Sequence, residues 1–217
     1  MNTERWIGFI LKETEDSLSL LYNFMGFLKS LEDEDNVLKI NKNFSFWKVH
    51  SAALQRTLFL YIGRLSDDGR DCKSFTDFNN HCVVNAIDFG QDAFKERKGS
   101  LLSGQNVPPS SAFPTKEDIC KLYSLSKGYN GYLRKECKTI RSKVFAHPIL
   151  IEEYEYEHLF EKVALAEIEK ALLAYYSVSK YLWNSYHNAE PLGNEVLPHP
   201  DKEIIYKTVL KVINNNI

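Results

Sequence analysis

The chain has 217 residues, 44% of them hydrophobic and 26% charged, which is typical of a soluble globular protein that folds as one domain. Its formal net charge of −2 excludes the basic surface of a general nucleic-acid binder, so any RNA site must be a local patch. The 4 cysteines form no CxxC pair and the 6 histidines no HExxH motif. We therefore expect no disulfide framework, no metal and no other cofactor.

The amino-terminal region and the hydropathy pattern indicate a cytoplasmic protein. Glu4, Glu13, Glu15 and Asp16 would not be tolerated in a secretory signal peptide. No apolar run approaches the roughly 18 residues of a membrane span, so no membrane partner is expected.

Apolar residues repeat at helical spacing along nearly the whole chain, and no segment shows the alternation of a strand. The pattern predicts helices over about 3–32, 44–66, 75–84, 86–97, 116–146, 152–187 and 201–214. Ser74 with Asp77 predicts the start of the third helix, Thr115 caps the fifth, and the acidic run Glu32–Asp35 ends the first. The predicted fold is all-α, a single domain over 1–217 in which four long helices can form a bundle.

Residues of about 98–114 form the longest irregular stretch, rich in Gly, Ser and Pro. This stretch either shapes substrate access or is a disordered connector, and the sequence leaves both open. The basic residues that precede it, Lys95, Arg97 and Lys98, either contact phosphate or form a solvated face, and we favour the solvated face.

The helix predicted over about 116–146 ends in the most informative segment, which reads IRSKVFAHP over 140–148. It places five residues between Arg141 and His147. A guanidinium binds phosphate through two charge-assisted hydrogen bonds, and an imidazole with a pKa of about 6.5 transfers protons near neutral pH. Such a pair can carry metal-free phosphodiester chemistry.

Two stripes lead along this predicted helix towards the pair. The basic stripe consists of Arg134, Lys138 and Arg141, and the apolar stripe beside it of Leu133, Cys137, Ile140 and Val144. In an ideal helix Arg141 and His147 would point about 120° apart. Pro148 disfavours helical backbone at His147, so the imidazole can turn towards the arginine. Alternatively, these cations only close a helix, since basic residues interact favourably with its carboxyl end.

The spacing from Arg141 to His147 resembles the R-x(4–6)-H motif of the HEPN superfamily (higher eukaryotes and prokaryotes nucleotide-binding domains). The local sequence Arg-Ser-Lys-Val-Phe-Ala-His resembles that of the U-like group, the abortive-infection branch of this superfamily. Upstream, Ser45-Phe46-Trp47 and Arg64-Leu65-Ser66-Asp67 also resemble that branch.

The resemblance implies a four-helix domain that dimerises and brings two motifs together, with RNA as the substrate. It implies that His147 is the general acid or base and that Arg141 stabilises the charge on phosphorus. Ser142 would be a polar helper, and we interpret Arg134 and Lys138 as phosphate guides. An antitoxin or another regulatory partner is compatible with this family.

The sequence departs from the family pattern at two positions. Active members often carry Asn or Asp after the arginine, where this chain has Ser142, which still donates or accepts a hydrogen bond. Members that partner a nucleotidyltransferase carry a tyrosine two residues after the histidine, where this chain has Ile149. The leading hypothesis is an RNA-cleaving toxin or phage-defence effector. The rival is a non-catalytic helical interaction or scaffold module.

Overall fold

The computed structural model describes residues 2–67, 73–99, 111–137, 140 and 163–215. All regular structure within these ranges is helical, which confirms the predicted all-α class. Residues 141–162 lie outside the described residues and include most of the motif segment 140–148 and the start of the helix predicted over 152–187. Residues 100–110 of the predicted irregular stretch lie outside them as well. None of the described helices combines the length and apolar character that crossing a membrane requires.

Most of the predicted helices are confirmed within two residues at each described end. The longer helices are α1 (Thr3–Ser30), α3 (Phe44–Ser66), α8 (Leu165–Asn188) and α9 (Lys202–Asn215). The shorter helices are α2 (Glu34–Lys42), α4 (Phe75–Val84), α5 (Gln91–Lys98), α6 (Lys116–Leu122) and α7 (Tyr129–Tyr132). Single 3-10 turns cover Ala86–Phe89 and Tyr123–Ser126, and a π-helical turn covers Leu133–Cys137. The capping boxes predicted at Ser74 and Thr115 both form.

Helix α2 differs from the prediction, which takes the acidic run only as the end of the first helix. The Asp33 side chain instead caps α2 by accepting a hydrogen bond from the Asn36 N–H, at 3.0 Å. Glu34 and Asp35 occupy the first turn of α2, where the macrodipole stabilises negative charge. The acidic run therefore starts a helix as well as following one.

The prediction of one continuous helix over 116–146 is wrong, because the chain forms α6, a 3-10 turn, α7 and a π-helical turn in succession. Gly128 interrupts the helix with a φ of 98°, in the left-handed region that favours glycine. The apolar spacing still marks the buried positions, since Leu133, Cys137 and Ile140 are all fully buried. Hydrophobic periodicity therefore found the inward face but not the breaks in the backbone.

Helix α1 lies at the centre of the core and packs against α3, α8 and α9. Its buried side chains follow helical spacing and include Ile7, Ile10, Leu18 and Leu21. Leu28, in the last turn of α1, is 38% exposed. A second, smaller cluster joins the end of α1 to α2, α3 and α9 through Phe27, Ile40, Trp47, Val209 and Ile213.

Arg97 ties α5 to the carboxyl end of α8. Its guanidinium donates hydrogen bonds to the carbonyls of Asp88, at 2.6 Å, and Tyr186, at 2.9 Å. It also lies 3.7 Å from the centroid of the Tyr186 ring. The carbonyl of Tyr186 belongs to the last turn of α8, whose carbonyls lack partners within the helix. The interpretation of Arg97 as part of a solvated face is therefore wrong.

We expect Arg97→Ala to lower the free energy of unfolding by about 1–3 kcal/mol, because it removes two charge-assisted hydrogen bonds and a ring contact. The matched control is Lys95→Ala, an exposed position of the same helix, with an expected change within about 0.5 kcal/mol. Urea unfolding measures both. Equal values for the two variants would show that Arg97 does not tie the helices together.

Three histidines, His81, His187 and His199, are partly or largely buried. Burial lowers the pKa of each imidazole, although a nearby carboxylate acts in the opposite direction in each case. A histidine with a lowered pKa binds fewer protons in the folded than in the unfolded state. Its contribution to stability is therefore complete above the unfolded pKa of about 6.5 and is lost as the pH falls below that value.

We expect the free energy of unfolding to decrease from about pH 7 to about pH 5, by at most about 1.4 kcal/mol per pH unit for each of these histidines. Burial raises the pKa of Glu13, and protonation of Glu13 therefore increases the free energy of unfolding as the pH falls. The pH dependence of the unaltered chain is therefore compared with that of a histidine variant. In His81→Gln the decrease should be shallower. Chemical unfolding at several pH values tests this, and an unchanged slope in the variant would rule out the contribution of His81.

Candidate functional site

Three buried side chains fix the segment that leads into the motif. Leu133, Cys137 and Ile140 are each 0% exposed and confirm the predicted apolar stripe as far as Ile140. The fourth member of that stripe, Val144, lies outside the described residues. Since Ile140 directly precedes Arg141 in the chain, the motif begins next to an anchored core residue.

Two hydrogen bonds join the described residues on either side of the segment 141–162. The Tyr132 hydroxyl accepts a hydrogen bond from the backbone N–H of Ala164, at 3.2 Å. The hydroxyl of Tyr175 in α8 donates to the side chain of Asn130, which joins the same two parts of the chain again. These two hydrogen bonds therefore join the described residues before the motif to the described residues after it.

The structure describes one of the five residues predicted for the site. Arg134 is exposed on the π-helical turn, next to the buried Leu133. Lys138, Arg141, Ser142 and His147 lie outside the described residues. The geometry of the Arg/His pair and the predicted basic stripe therefore stay predictions.

The buried thiols offer no alternative nucleophile. Burial raises the pKa of Cys82 and of Cys137 to about 12. Because the thiolate is the reactive form of cysteine, neither group is activated near neutral pH. Both side chains are fully buried and serve as core residues.

A hydroxyl, an imidazole and a carboxylate meet at the start of α1, where sequence reasoning assigned no role. Thr3 Oγ1 lies 3.0 Å from His81 Nε2, and the Thr3 hydroxyl donates to Asp88. Asn85 Nδ2 lies 3.3 Å from the other ring nitrogen, Nδ1. Because the threonine proton is donated to Asp88, Nε2–H of His81 must donate to Thr3 Oγ1.

This arrangement is unlike a catalytic triad, in which the carboxylate orients the imidazole and the imidazole accepts the hydroxyl proton. Here the carboxylate binds the hydroxyl directly, and Thr3 is only 2% exposed. The group of Thr3, His81 and Asp88 is therefore a structural link between α1, α4 and the following 3-10 turn.

A cavity of about 420 Å³ lies between the start of α6 and residues 191–194. Its charged lining residues already have partners. The Asp118 carboxylate accepts hydrogen bonds from the backbone N–H and the hydroxyl of Thr115 in the capping box of α6, and its Oδ1 lies 4.0 Å from Lys121 Nζ. The hydrogen bonds from the backbone and side chain of Thr115 lower the pKa of Asp118. Ala112–Pro114 at the end of the predicted irregular stretch form one edge of this cavity, so both interpretations of that stretch stay open.

Within the described ranges, no group of three His, Cys, Asp or Glu side chains is arranged to hold a metal ion. Comparison of the chain with protein-family models, with curated proteins and with solved structures gives no match. The family resemblance therefore rests on the motif segment and on the upstream residues that accompany it.

Proposed function

We propose that the chain is a metal-independent endoribonuclease of the HEPN type, which acts in the cytoplasm as an RNA-cleaving toxin or phage-defence effector. The observation that carries this proposal is the R-x5-H motif from Arg141 to His147. Two features of the structure support it. The motif follows directly on a fully buried residue, Ile140, and the described fold around it is helical throughout.

In the proposed reaction, His147 and Arg141 act on the phosphodiester between two ribonucleotides. The 2′-hydroxyl loses its proton and attacks phosphorus, forming the 2′-O–P bond while the P–O5′ bond breaks. The 5′ oxygen takes up a proton, so the products are a 2′,3′-cyclic phosphate and a 5′-hydroxyl. His147 transfers a proton, and Arg141 stabilises the negative charge that develops on the phosphate oxygens.

The remaining predicted residues bind and position the RNA. Ser142 supplies a hydroxyl next to Arg141, and Arg134 and Lys138 attract the flanking phosphates. We propose that the chain forms a HEPN-like four-helix bundle with additional short helices, in which the region over about 116–187 surrounds the motif, and that two copies of the chain pair so that both motifs line one cleft. An antitoxin or other regulatory protein would then act by covering that cleft.

The requirement for the attacking hydroxyl tests this reaction. With EDTA present, an RNA oligonucleotide should yield fragments with cyclic-phosphate ends, and the same sequence with 2′-O-methyl groups throughout should stay intact. The unmodified RNA provides the matched control for binding and sequence. Cleavage of the methylated oligonucleotide would exclude the proposed attack by the 2′-hydroxyl.

The second candidate function, a non-catalytic interaction module, is favoured by exposed apolar residues on α2 and the first half of α3. Leu38 is 65% exposed, Phe44 57% and Val49 69%. Apolar side chains clustered at a surface often mark a protein interface. Salt separates the candidates, because phosphate binding weakens steeply with added salt and apolar association does not.

A further inference from the structure

A groove between the first half of α3 and the end of α9 leads down to the second hydrophobic cluster. Phe46, Trp47 and His50 line one side, Thr208, Val209 and Val212 line the other, and Asn23 of α1 completes the lining. The groove encloses about 110 Å³, well below the roughly 300–1,000 Å³ of a pocket for a drug-sized ligand. Its size therefore suits a single ring system.

Aromatic rings form the wall on the α3 side. The Phe46 and His50 rings are stacked, with an interplanar angle of 11° and centroids 5.9 Å apart, and Trp47 meets both edge-on. Phe46 is 57% exposed, whereas Trp47 is 4% exposed and is held by its stack on Phe27. A rigid aromatic base thus supports a second ring that stays accessible to a flat ligand.

A few polar atoms stand among these apolar walls. Asn23 Nδ2 donates to the Ser19 carbonyl at 2.8 Å, which leaves Asn23 Oδ1 as an acceptor in the groove lining. The Thr208 hydroxyl donates to the Ile204 carbonyl at 2.8 Å, and its oxygen can accept a further bond. Two acceptors beside a stacking surface suit a heterocycle that carries N–H groups, as nucleobases do.

Two lysines stand next to lining residues of the groove in the sequence, Lys48 beside Trp47 on α3 and Lys211 beside Val212 on α9, although the whole chain is slightly acidic. Residues 36–66 contain five Lys or Arg residues and no Asp or Glu, although one of these cations, Arg64 near the far end of α3, is paired with Glu13 of α1. Lys211 follows Thr208 by three residues on α9, so it belongs to the same face as the groove lining. Single-stranded nucleic-acid sites combine such basic surroundings with aromatic stacking positions.

We propose that this groove, whose lining contains no residue of the Arg141/His147 motif, binds one unstacked base of single-stranded RNA against Phe46 and His50. The choice of RNA as the polyanion rests on the proposed ribonuclease function. The stacking position would favour single-stranded over duplex substrates, since bases in a duplex are not free to stack on protein.

The test uses a fluorescein-labelled uridine octamer, EDTA and the full chain carrying His147→Ala, so that bound RNA is not cut. Phe46→Ala should weaken binding at least about fivefold, because loss of one base–aromatic stack has effects of this size. Val212→Trp, which fills the groove, should do the same. The matched controls are Phe44→Ala, equally exposed but outside the groove lining, and Val84→Trp on α4. Both controls should change affinity less than twofold.

Equal affinities for the Phe46→Ala and Phe44→Ala variants would overturn the proposal. So would a Val212→Trp variant that binds RNA normally but has a lower molecular mass in sedimentation, because the groove would then hold a second copy of the chain. Cleavage by the chain with His147 intact is measured separately. Binding that depends on the groove, without cleavage, would reject the ribonuclease function and support the base-binding groove. Cleavage that is insensitive to Phe46→Ala would support the ribonuclease function and reject the base-binding groove.

Discussion

Replacing His147 by alanine is expected to lower the rate of metal-free RNA cleavage by about 10²–10⁴-fold, the usual contribution of a positioned acid or base. The loss should appear mainly in kcat, because the imidazole acts on the reacting proton and contributes little to RNA binding. Cleavage time courses with EDTA present, at saturating and limiting RNA, measure both parameters. A loss confined to KM would assign His147 to binding and not to proton transfer.

The arginine gives a companion result with a charge-preserving control. Arg141→Ala should lower cleavage strongly, and Arg141→Lys should recover only part of the loss, since lysine keeps the charge but not the two parallel hydrogen bonds. Full activity in Arg141→Lys would reduce the role of Arg141 to that of a general positive charge. Because Ile140 next to it is buried, each variant also needs the thermal stability of the unaltered chain for the comparison to hold.

Replacing Phe75 by alanine is expected to cost about 3–5 kcal/mol of unfolding free energy, the usual range for removing a buried aromatic ring. Phe75 is fully buried at the start of α4, and its ring stacks on Tyr175 of α8 with centroids 3.7 Å apart and an interplanar angle of 7°. The pair joins two helices through the middle of the core. A loss of this size would remove a large fraction of the stability of an ordinary domain.

Two control variants separate loss of the ring from general disturbance of α4. Phe75→Leu keeps an apolar side chain of similar size and should cost less than about 1.5 kcal/mol. Val84→Ala at the other end of the helix is 78% exposed in the unaltered chain and should change stability by less than about 0.5 kcal/mol. If urea unfolding gives Phe75→Ala and Val84→Ala the same small loss of unfolding free energy, the stacked pair of Phe75 and Tyr175 is not part of the stabilising core.

Local patterns were sufficient for most helices, because amphipathic spacing and capping residues act within one or two turns. Ser74 with Asp77 and Thr115 with Asp118 form the predicted caps, and α3 has the predicted bounds. The same local residues permit either a continuous helix or a break at Gly128, and either the end of one helix or the start of another at Asp33. Periodicity alone does not decide between them.

Contacts between distant segments were beyond the reach of sequence reasoning. In the sequence, Arg97 is indistinguishable from an ordinary surface cation. Only the fold shows that the carbonyl and ring of Tyr186 in α8 lie beside it. The α3–α9 groove likewise depends on Phe46 and Val212, which are far apart in the chain. One usable signal was present, the complete lack of acidic residues over 36–66. For the Arg141/His147 pair, the motif spacing identified candidate residues, but the distance between their side chains depends on backbone geometry.

The most direct test of the central proposal is incubation of the purified chain with total RNA and tRNA in EDTA, beside a His147→Ala variant of equal thermal stability. We predict discrete fragments with 2′,3′-cyclic-phosphate ends from the unaltered chain and none from the variant. Intact RNA in both samples would contradict ribonuclease activity of the isolated chain on these substrates and favour the interaction module.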